Sequence, residues 1–261
     1  MSNERIVELQ SALRRTATLF QTGGSRPSST VEQCWIGQVN LALPDEELPV
    51  DVDGEAMAPI LQLYLPALPY VPDELKETEL LTVFLSPNVL DHDDMSGYMC
   101  IREYSDTGKL VLKDFGPAFM SIKPFPLFPE LRQDDSPQWD SDDIPEAYRQ
   151  EILRLEELEG LNYFEDIAGK IYRVHKLGGY AAFTQPGIDF GDGYAFVLQI
   201  ASDAKARLNI VDDGNFYFAK HKKERHLARL LRFLLKDLWG VKLDGRDGPS
   251  DGIFSKMAGS I

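Results

Sequence analysis

Two short apolar runs, Tyr-Ala-Phe-Val-Leu-Gln-Ile-Ala over residues 194–201 and Asn-Phe-Tyr-Phe-Ala-Lys over 215–220, constrain the fold more than any other feature. Aromatic and branched aliphatic side chains dominate them, and their lengths suit strands better than helices. Asp213-Gly214, just ahead of the second run, predicts a hairpin turn. Gly178-Gly179 opens the loop before them, in the sequence His175-Lys-Leu-Gly-Gly-Tyr180. The pair lacks the third glycine of a dinucleotide fingerprint, and Phe-Thr-Gln-Pro follows where a helix should begin. A turn needing positive φ, or close backbone approach, is the expectation.

The first half repeats this grammar in weaker form. Cys34-Trp35-Ile36-Gly37 stands where Lys176 to Gly179 stands, Pro59-Ile-Leu-Gln-Leu-Tyr64 matches Phe196-Val-Leu-Gln-Ile200, and Leu81-Thr-Val-Phe84 matches Asn215-Phe-Tyr-Phe218. Gly37 to Gln62 spans 25 positions against 21 for Gly178 to Gln199, and Gln62 to Phe84 spans 22 against 19 for Gln199 to Phe218. Two copies imply a duplicated half-domain with one shared core, since a solenoid needs three or more units. Chance likeness of short apolar strands is the alternative.

The combination Lys176-Leu-Gly-Gly-Tyr180, Gln185-Pro186, Leu198-Gln-Ile200 with Ser202-Asp203, and Asp213-Gly214 leading into Phe216-Tyr-Phe218 resembles the YwqG-like family, a group of mostly bacterial proteins of unknown function. Where that family usually has Pro after Gly-Gly-Tyr, this chain has Ala181, and Gln38 and Thr78 depart from the family's first copy. On this reading residues 1–261 are a single YwqG-like globular unit. Residues 24–116 form the first β half, 117–143 a Pro-rich acidic connector, and 144–219 the second half with a helix and the signature stretch. Residues 220–261 add a C-terminal helix and a Gly-rich tail. The expected class is α+β, mostly antiparallel sheet with two pseudo-repeated β halves and peripheral helices.

A helix is expected over residues 3–20, where Ile6, Leu9, Leu13, Ala17 and Phe20 recur at three- and four-residue steps. Residues 98–104 and 109–113 read as a hairpin joined by Ser105-Asp-Thr-Gly108. The run containing Pro117, Pro124, Pro126, Pro129 and Pro137 reads as neither helix nor central strand. A second helix is expected from about Ile144 to Gly160 with Asp143 as N-cap, and a third along the leucine stripe of residues 227–238.

Asp plus Glu number 42 against 27 Lys plus Arg, a net charge of −15 that repels phosphate backbones and disfavours nucleic acid. The imbalance is local. Residues 130–166 carry 13 acids and three arginines, net −10, and residues 220–246 carry nine bases and three acids, net +6. Cys34 and Cys100 sit in apolar contexts and read as buried thiols, and no run approaches the ~20 apolar residues of a membrane span. A cytoplasmic protein with no membrane association is expected.

No nucleophile, base and oxyanion set is legible, no cofactor is expected, and no metal-ligand spacing stands out. Asp91-His-Asp-Asp94 offers oxygen and imidazole ligands but reads first as a solvated turn. His175, His221 and His226 have no nearby nucleophile, and their spacing is not that of a zinc pair. Gln62 and Gln199 are polar residues inside apolar strands at matching repeat positions. Each either ties down backbone or, together with Gln185, Gly178 and Gly179, surrounds a ligand in a cleft between the halves. The leading functional expectation is a non-enzymatic protein-binding module, an immunity or antitoxin-like protein masking a basic partner such as a toxin. The alternative is a small-ligand binder or enzyme that uses the cleft. Burial of the leucine stripe against another subunit is a third possibility, and the oligomeric state is left open.

Overall fold

A computed structural model describes residues 3–24, 30–92, 95, 97–115, 122–183, 190–210, 213–221 and 231–233. Helix α1 (Asn3–Leu13) leads into strands β1 (Arg15–Thr22), β2 (Trp35–Ile36), β3 (Leu41–Ala42), β4 (Ala58–Tyr64), β5 (Leu80–Leu85), β6 (Met99–Tyr104), β7 (Val111–Leu112) and β8 (Phe125–Asp135). Helix α2 (Glu146–Glu159) and a π-helical turn (Tyr163–Ile167) precede β9 (Lys176–Gly178), β10 (Tyr194–Ala201), β11 (Asn215–His221) and β12 (Leu231–Phe233). The architecture is α+β and mostly antiparallel sheet. Ten strands form one sheet in the order β12-β11-β10-β9-β1-β8-β2-β4-β5-β6, and β3 pairs with β7 apart from it.

The centre of this sheet is an exchange. β1 precedes β2 in the chain but lies against β9, and β8 precedes β9 but lies against β2. Outside that central pair the two wings match in detail. Trp35 lies opposite Gln62 as Lys176 lies opposite Gln199. The register slips between Pro59 and Leu61 in β4, and between Phe196 and Leu198 in β10, which places the skipped residue, Ile60 or Val197, two positions before each glutamine. The pairing sets Val83 against Leu61 and Phe218 against Leu198. Phe218 therefore corresponds to Val83, one position from the Phe84 expected from the sequence match.

The sheet curls until its wings share a core. Ile60, Leu61, Leu63 and Val83 of one wing pack in one cluster with Val197, Leu198, Ile200 and Phe218 of the other. Lys220 Nζ of β11 reaches Glu103 Oε2 of β6 at 2.5 Å, although those strands lie far apart in the sheet order. Phe84 turns to the other face, where it packs with Val39 and Met57. That two-sided cover explains why β4 and β5 are buried along their length instead of at alternate positions. The helices pack on each other outside this core through Leu9, Leu13, Ile152 and Leu155, together with Tyr163.

Several expectations are corrected. The helix expected over residues 3–20 ends at Leu13, and β1 follows. Ala17 and Phe20 fit a helical stripe, but Thr16, Thr18 and Thr22 favour extended backbone, and ladders on both sides, to β8 and β9, hold it. The Pro-rich run, expected to be excluded from central strands, contributes β8 at the middle of the sheet. The Phe20 N–H donates to the His175 carbonyl on the β9 side at 2.9 Å. In an antiparallel pair, opposite residues point their backbone groups either toward each other or both away. Pro129, opposite Phe20, thus turns its nitrogen away from β1, where β2 has already ended because it pairs only with Phe125 and Pro126. A missing N–H costs nothing there.

β6 does not form the expected hairpin with residues 109–113. A 3-10 turn at Thr107–Lys109 redirects the chain, and β7 pairs with β3 instead. Within the expected leucine helix, Leu231–Phe233 is a strand that extends the sheet beyond β11, Phe233 lying opposite Phe218. The rest of residues 227–238, and the Gly-rich tail, lie outside the described residues. α2 starts at Glu146 with Pro145, not Asp143, at the N-cap, and ends at Gly160 with φ 69° as its glycine predicts.

Thr18, fully buried in β1, joins the first wing to the sheet centre. Its hydroxyl donates to the Tyr70 carbonyl (2.7 Å) and accepts from the Tyr70 N–H (3.1 Å). Thr18→Val leaves both backbone groups of Tyr70 without that partner and is expected to cost about 2–4 kcal/mol in urea unfolding, whereas Thr18→Ser should stay within ~1 kcal/mol of the parent.

Candidate functional site

Gly178 and Gly179 both adopt left-handed backbone, with φ of 75° and 72°. The reason is close approach. A Cβ on Gly178 would press into the Tyr70 ring, and one on Gly179 would collide with the Asp135 carboxylate. The turn they make delivers the Tyr180 N–H to Asp135 Oδ2 at 2.8 Å, and the same oxygen receives Lys176 Nζ at 2.9 Å. Lys176 and Asp135 are both wholly buried. Burial pushes the Asp135 carboxyl up despite its lysine partner, and burial pushes the Lys176 ammonium down despite its carboxylate. Such a pair holds only while both members are present.

Beside this turn opens a cavity of about 820 Å³. The first wing supplies its loop at Tyr70, Pro72, Asp73 and Glu74, and β1 supplies Arg15. The segment before α2 supplies Ser141, Asp142 and Asp143, and the second wing adds Gly178, Gly179, Phe183 and residues 190–192 and 194–196. The cleft thus lies between the halves. Its walls are aromatic: Phe183 and Phe190 stand 5.5 Å apart and Phe190 and Phe196 6.1 Å apart, with Tyr70 and Tyr194 also lining the space.

Its charge is lopsided. Asp73, Glu74, Asp142, Asp143 and Asp192 face a single guanidinium, Arg15. Arg15 lies 3.3 Å from Asp143 and stacks 4.0 Å over the Tyr180 ring, and Lys76 pairs with Asp73 at 2.6 Å. Glu74, Asp142 and Asp192 make no ion pair among the described residues. Burial, reinforced by the charges of Asp73 and Glu74, pushes the Tyr70 phenol up. Burial lifts Tyr180 to about 12, with Arg15 pulling the other way.

Of the residues expected to surround a ligand, Gly178 and Gly179 line the cleft, and Gln185 lies outside the described residues. Gln62 and Gln199 have no exposed surface. Gln199 accepts from the Ala182 N–H (3.0 Å) and donates to the Val174 carbonyl (2.9 Å), so it ties the signature loop to β10. Gln62 accepts from the Asn40 N–H (3.1 Å) at the matching place in the first wing. Both are backbone ties and do not line the cleft.

His175 is also fully engaged. Its Nδ1 accepts from the Ala201 N–H at 3.0 Å, which leaves the proton on Nε2 to face Asp203 Oδ2 at 3.3 Å. Asp203 further accepts from the Thr22 hydroxyl and the Ala206 N–H. Burial alone would raise this carboxyl, but the bonds from His175, Thr22 and Ala206 outweigh it and hold Asp203 well below the usual carboxylate range. Asp203 therefore fastens the end of β10 to β1, while the Ser202 hydroxyl holds the backbone of Ile210 and Gly214.

In the acidic turn, His92 stacks on Tyr98 (centroids 3.9 Å apart), while Asp93 and Asp94 lie outside the described residues, as do Asp212 and His226. His221 packs edge-on against Tyr194. No cluster of three His, Cys, Asp or Glu suited to a metal occurs among the described residues. Cys34 is buried, its thiol raised to about 11 by burial, and Cys100 is half-buried. No described helix is long and apolar enough to cross a membrane.

Sequence reasoning missed Arg15, Tyr70, Asp73, Glu74 and the Ser141–Asp143 segment. Only the clustering of Phe190, Tyr194 and Phe196 around the signature hinted at a wall, because the rest of the site comes from loops distant in sequence.

Two outcomes follow for stability. Asp135→Asn strands the Lys176 ammonium and is expected to cost about 3–5 kcal/mol, most of it recovered when Lys176→Met is added, as a double-mutant cycle in urea would show. Asp203 has a folded pKa below its unfolded value of ~3.9, so its contribution is complete above that value and is lost as pH falls through the folded pKa. Asp203→Asn should lower stability at neutral pH and flatten the loss of unfolding free energy below about pH 4, measured by chemical denaturation at a series of pH values. No protein-family model matches the chain and no curated protein matches it, so its function is argued from the cleft itself.

Proposed function

We propose that this chain is a protein-binding module that captures a basic protein at the cleft between its halves, in the manner of an immunity or antitoxin-like protein masking a toxin. The observation that carries the reading is charge placement: five carboxylates and one guanidinium line the cleft, and that guanidinium is already paired with Asp143. Asp142 and Asp143 also belong to the acid-rich stretch of residues 130–166, so the local field and the wider surface both favour a basic partner. The resemblance to the YwqG-like family supports the reading too, because genes of families like this often lie near toxin genes.

A second reading, a small-ligand protein or enzyme working in the same cleft, is favoured by the cavity's size. About 820 Å³ lies within the range of small-molecule sites.

The test is capture from the host lysate with the tagged chain at low and moderate salt. One near-stoichiometric basic protein is expected, retained at low salt, weakened as salt screens the contact, and lost from a chain carrying Asp142→Asn, Asp143→Asn and Asp192→Asn. If the partner inhibits growth when produced alone, co-production of this chain should restore it. Recovery of no basic protein at low salt overturns the partner reading.

A further inference from the structure

The rim of the cleft already shows one cation bound by the protein's own groups. Arg15 is held between a carboxylate, Asp143 at 3.3 Å, and an aromatic ring, Tyr180 at 4.0 Å. The same two ingredients recur elsewhere along the cavity. Phe183, Phe190, Tyr194 and Phe196 line it, and Glu74 and Asp192 line it with no ion pair among the described residues.

An aromatic wall attracts a cation through the ring quadrupole, more strongly when water is displaced, and a neighbouring carboxylate adds a charge-assisted hydrogen bond. The same groups repel phosphates and carboxylates, and a neutral isostere of the cation keeps hydrogen bonding and apolar contact but loses the charge–charge and cation–π attraction. The equivalent glycine of the first wing, Gly37, abuts Ile122 and the Lys123 backbone, whereas Gly178 meets the Tyr70 ring at the cavity wall.

We infer that the cleft binds an alkyl guanidinium or alkyl ammonium group against its aromatic wall, with Asp192 and Glu74 as the counter-charges. This rests on the cleft being the binding site, and it names the chemistry that site selects. The cation has two possible sources, a free amine and an arginine or lysine side chain of a protein partner.

The full-length chain is titrated calorimetrically at low ionic strength with agmatine, with a blocked arginine peptide, and with the same peptide carrying citrulline. The cationic probes are expected to bind at least about tenfold more tightly than the citrulline peptide. Asp192→Asn, an exposed position, should weaken them by about fivefold without changing the thermal midpoint, and Phe190→Ala should weaken them similarly. Tighter binding of agmatine assigns a free amine, and tighter binding of the peptide assigns a protein side chain. Equal affinity for arginine and citrulline peptides, no binding of either cation at millimolar concentration, or unchanged affinity in Asp192→Asn overturns the inference. Its failure is separable from that of the partner reading. A basic protein captured equally by the parent and by Asp192→Asn keeps the partner and removes this cation site, while agmatine binding with no captured protein does the reverse.

Discussion

The antiparallel pairing of β1 with β8 is the constraint on which the rest depends. Each strand precedes one wing in the chain and pairs with the other, so neither wing can complete its sheet without a segment from the opposite half. The exchange explains why the two wings share one core and do not form separate domains. It also places Thr18 where its hydroxyl can satisfy both backbone groups of Tyr70. The first-wing loop that forms one wall of the cleft is thereby fixed to the strand at the sheet's centre.

Under the cleft, the buried Lys176–Asp135 pair and the two left-handed glycines act as one device. Asp135 ends β8, Lys176 begins β9, and the Tyr180 N–H closes the turn onto the same carboxylate oxygen. A pair of this kind contributes little net stability over an apolar substitute, but it penalises any arrangement that separates its members. It sets the turn geometry, and through that turn the positions of Gly178 and Gly179 against Tyr70. The polar residues of the signature are used in the same way: Gln199, His175, Ser202 and Asp203 all hold backbone. A short polar motif inside apolar strands is here the mark of a buried hydrogen-bond frame, and the ligand-facing groups lie around it.

Charge at the cleft follows from that frame. Arg15 begins β1, and its guanidinium meets Asp143 before α2 and the Tyr180 ring after the glycine turn. One cation is thus absorbed by the fold, while the remaining carboxylates come from loops that approach only when the sheet curls. The negative potential is assembled by the tertiary structure from acids that are scattered in sequence.

Legible in the sequence were the strands whose short apolar runs suit extended structure better than helix, β4, β5, β10 and β11, together with the glycines that need positive φ and the match of Gln62 with Gln199. These rest on local stereochemistry and on side-chain periodicity, which act over a few residues. Only the tertiary structure decided the fate of ambiguous segments. Residues 15–22 satisfy a helical stripe and a strand equally, and two flanking ladders chose the strand. Pro129 argues against a central strand until its pairing with β1 shows that its nitrogen points away from that strand, and until the end of β2 shows that no partner is lost on the other side. The cleft belongs to the same category, since Tyr70, Asp143 and Asp192 are brought together by strand exchange and curling, which no local pattern encodes.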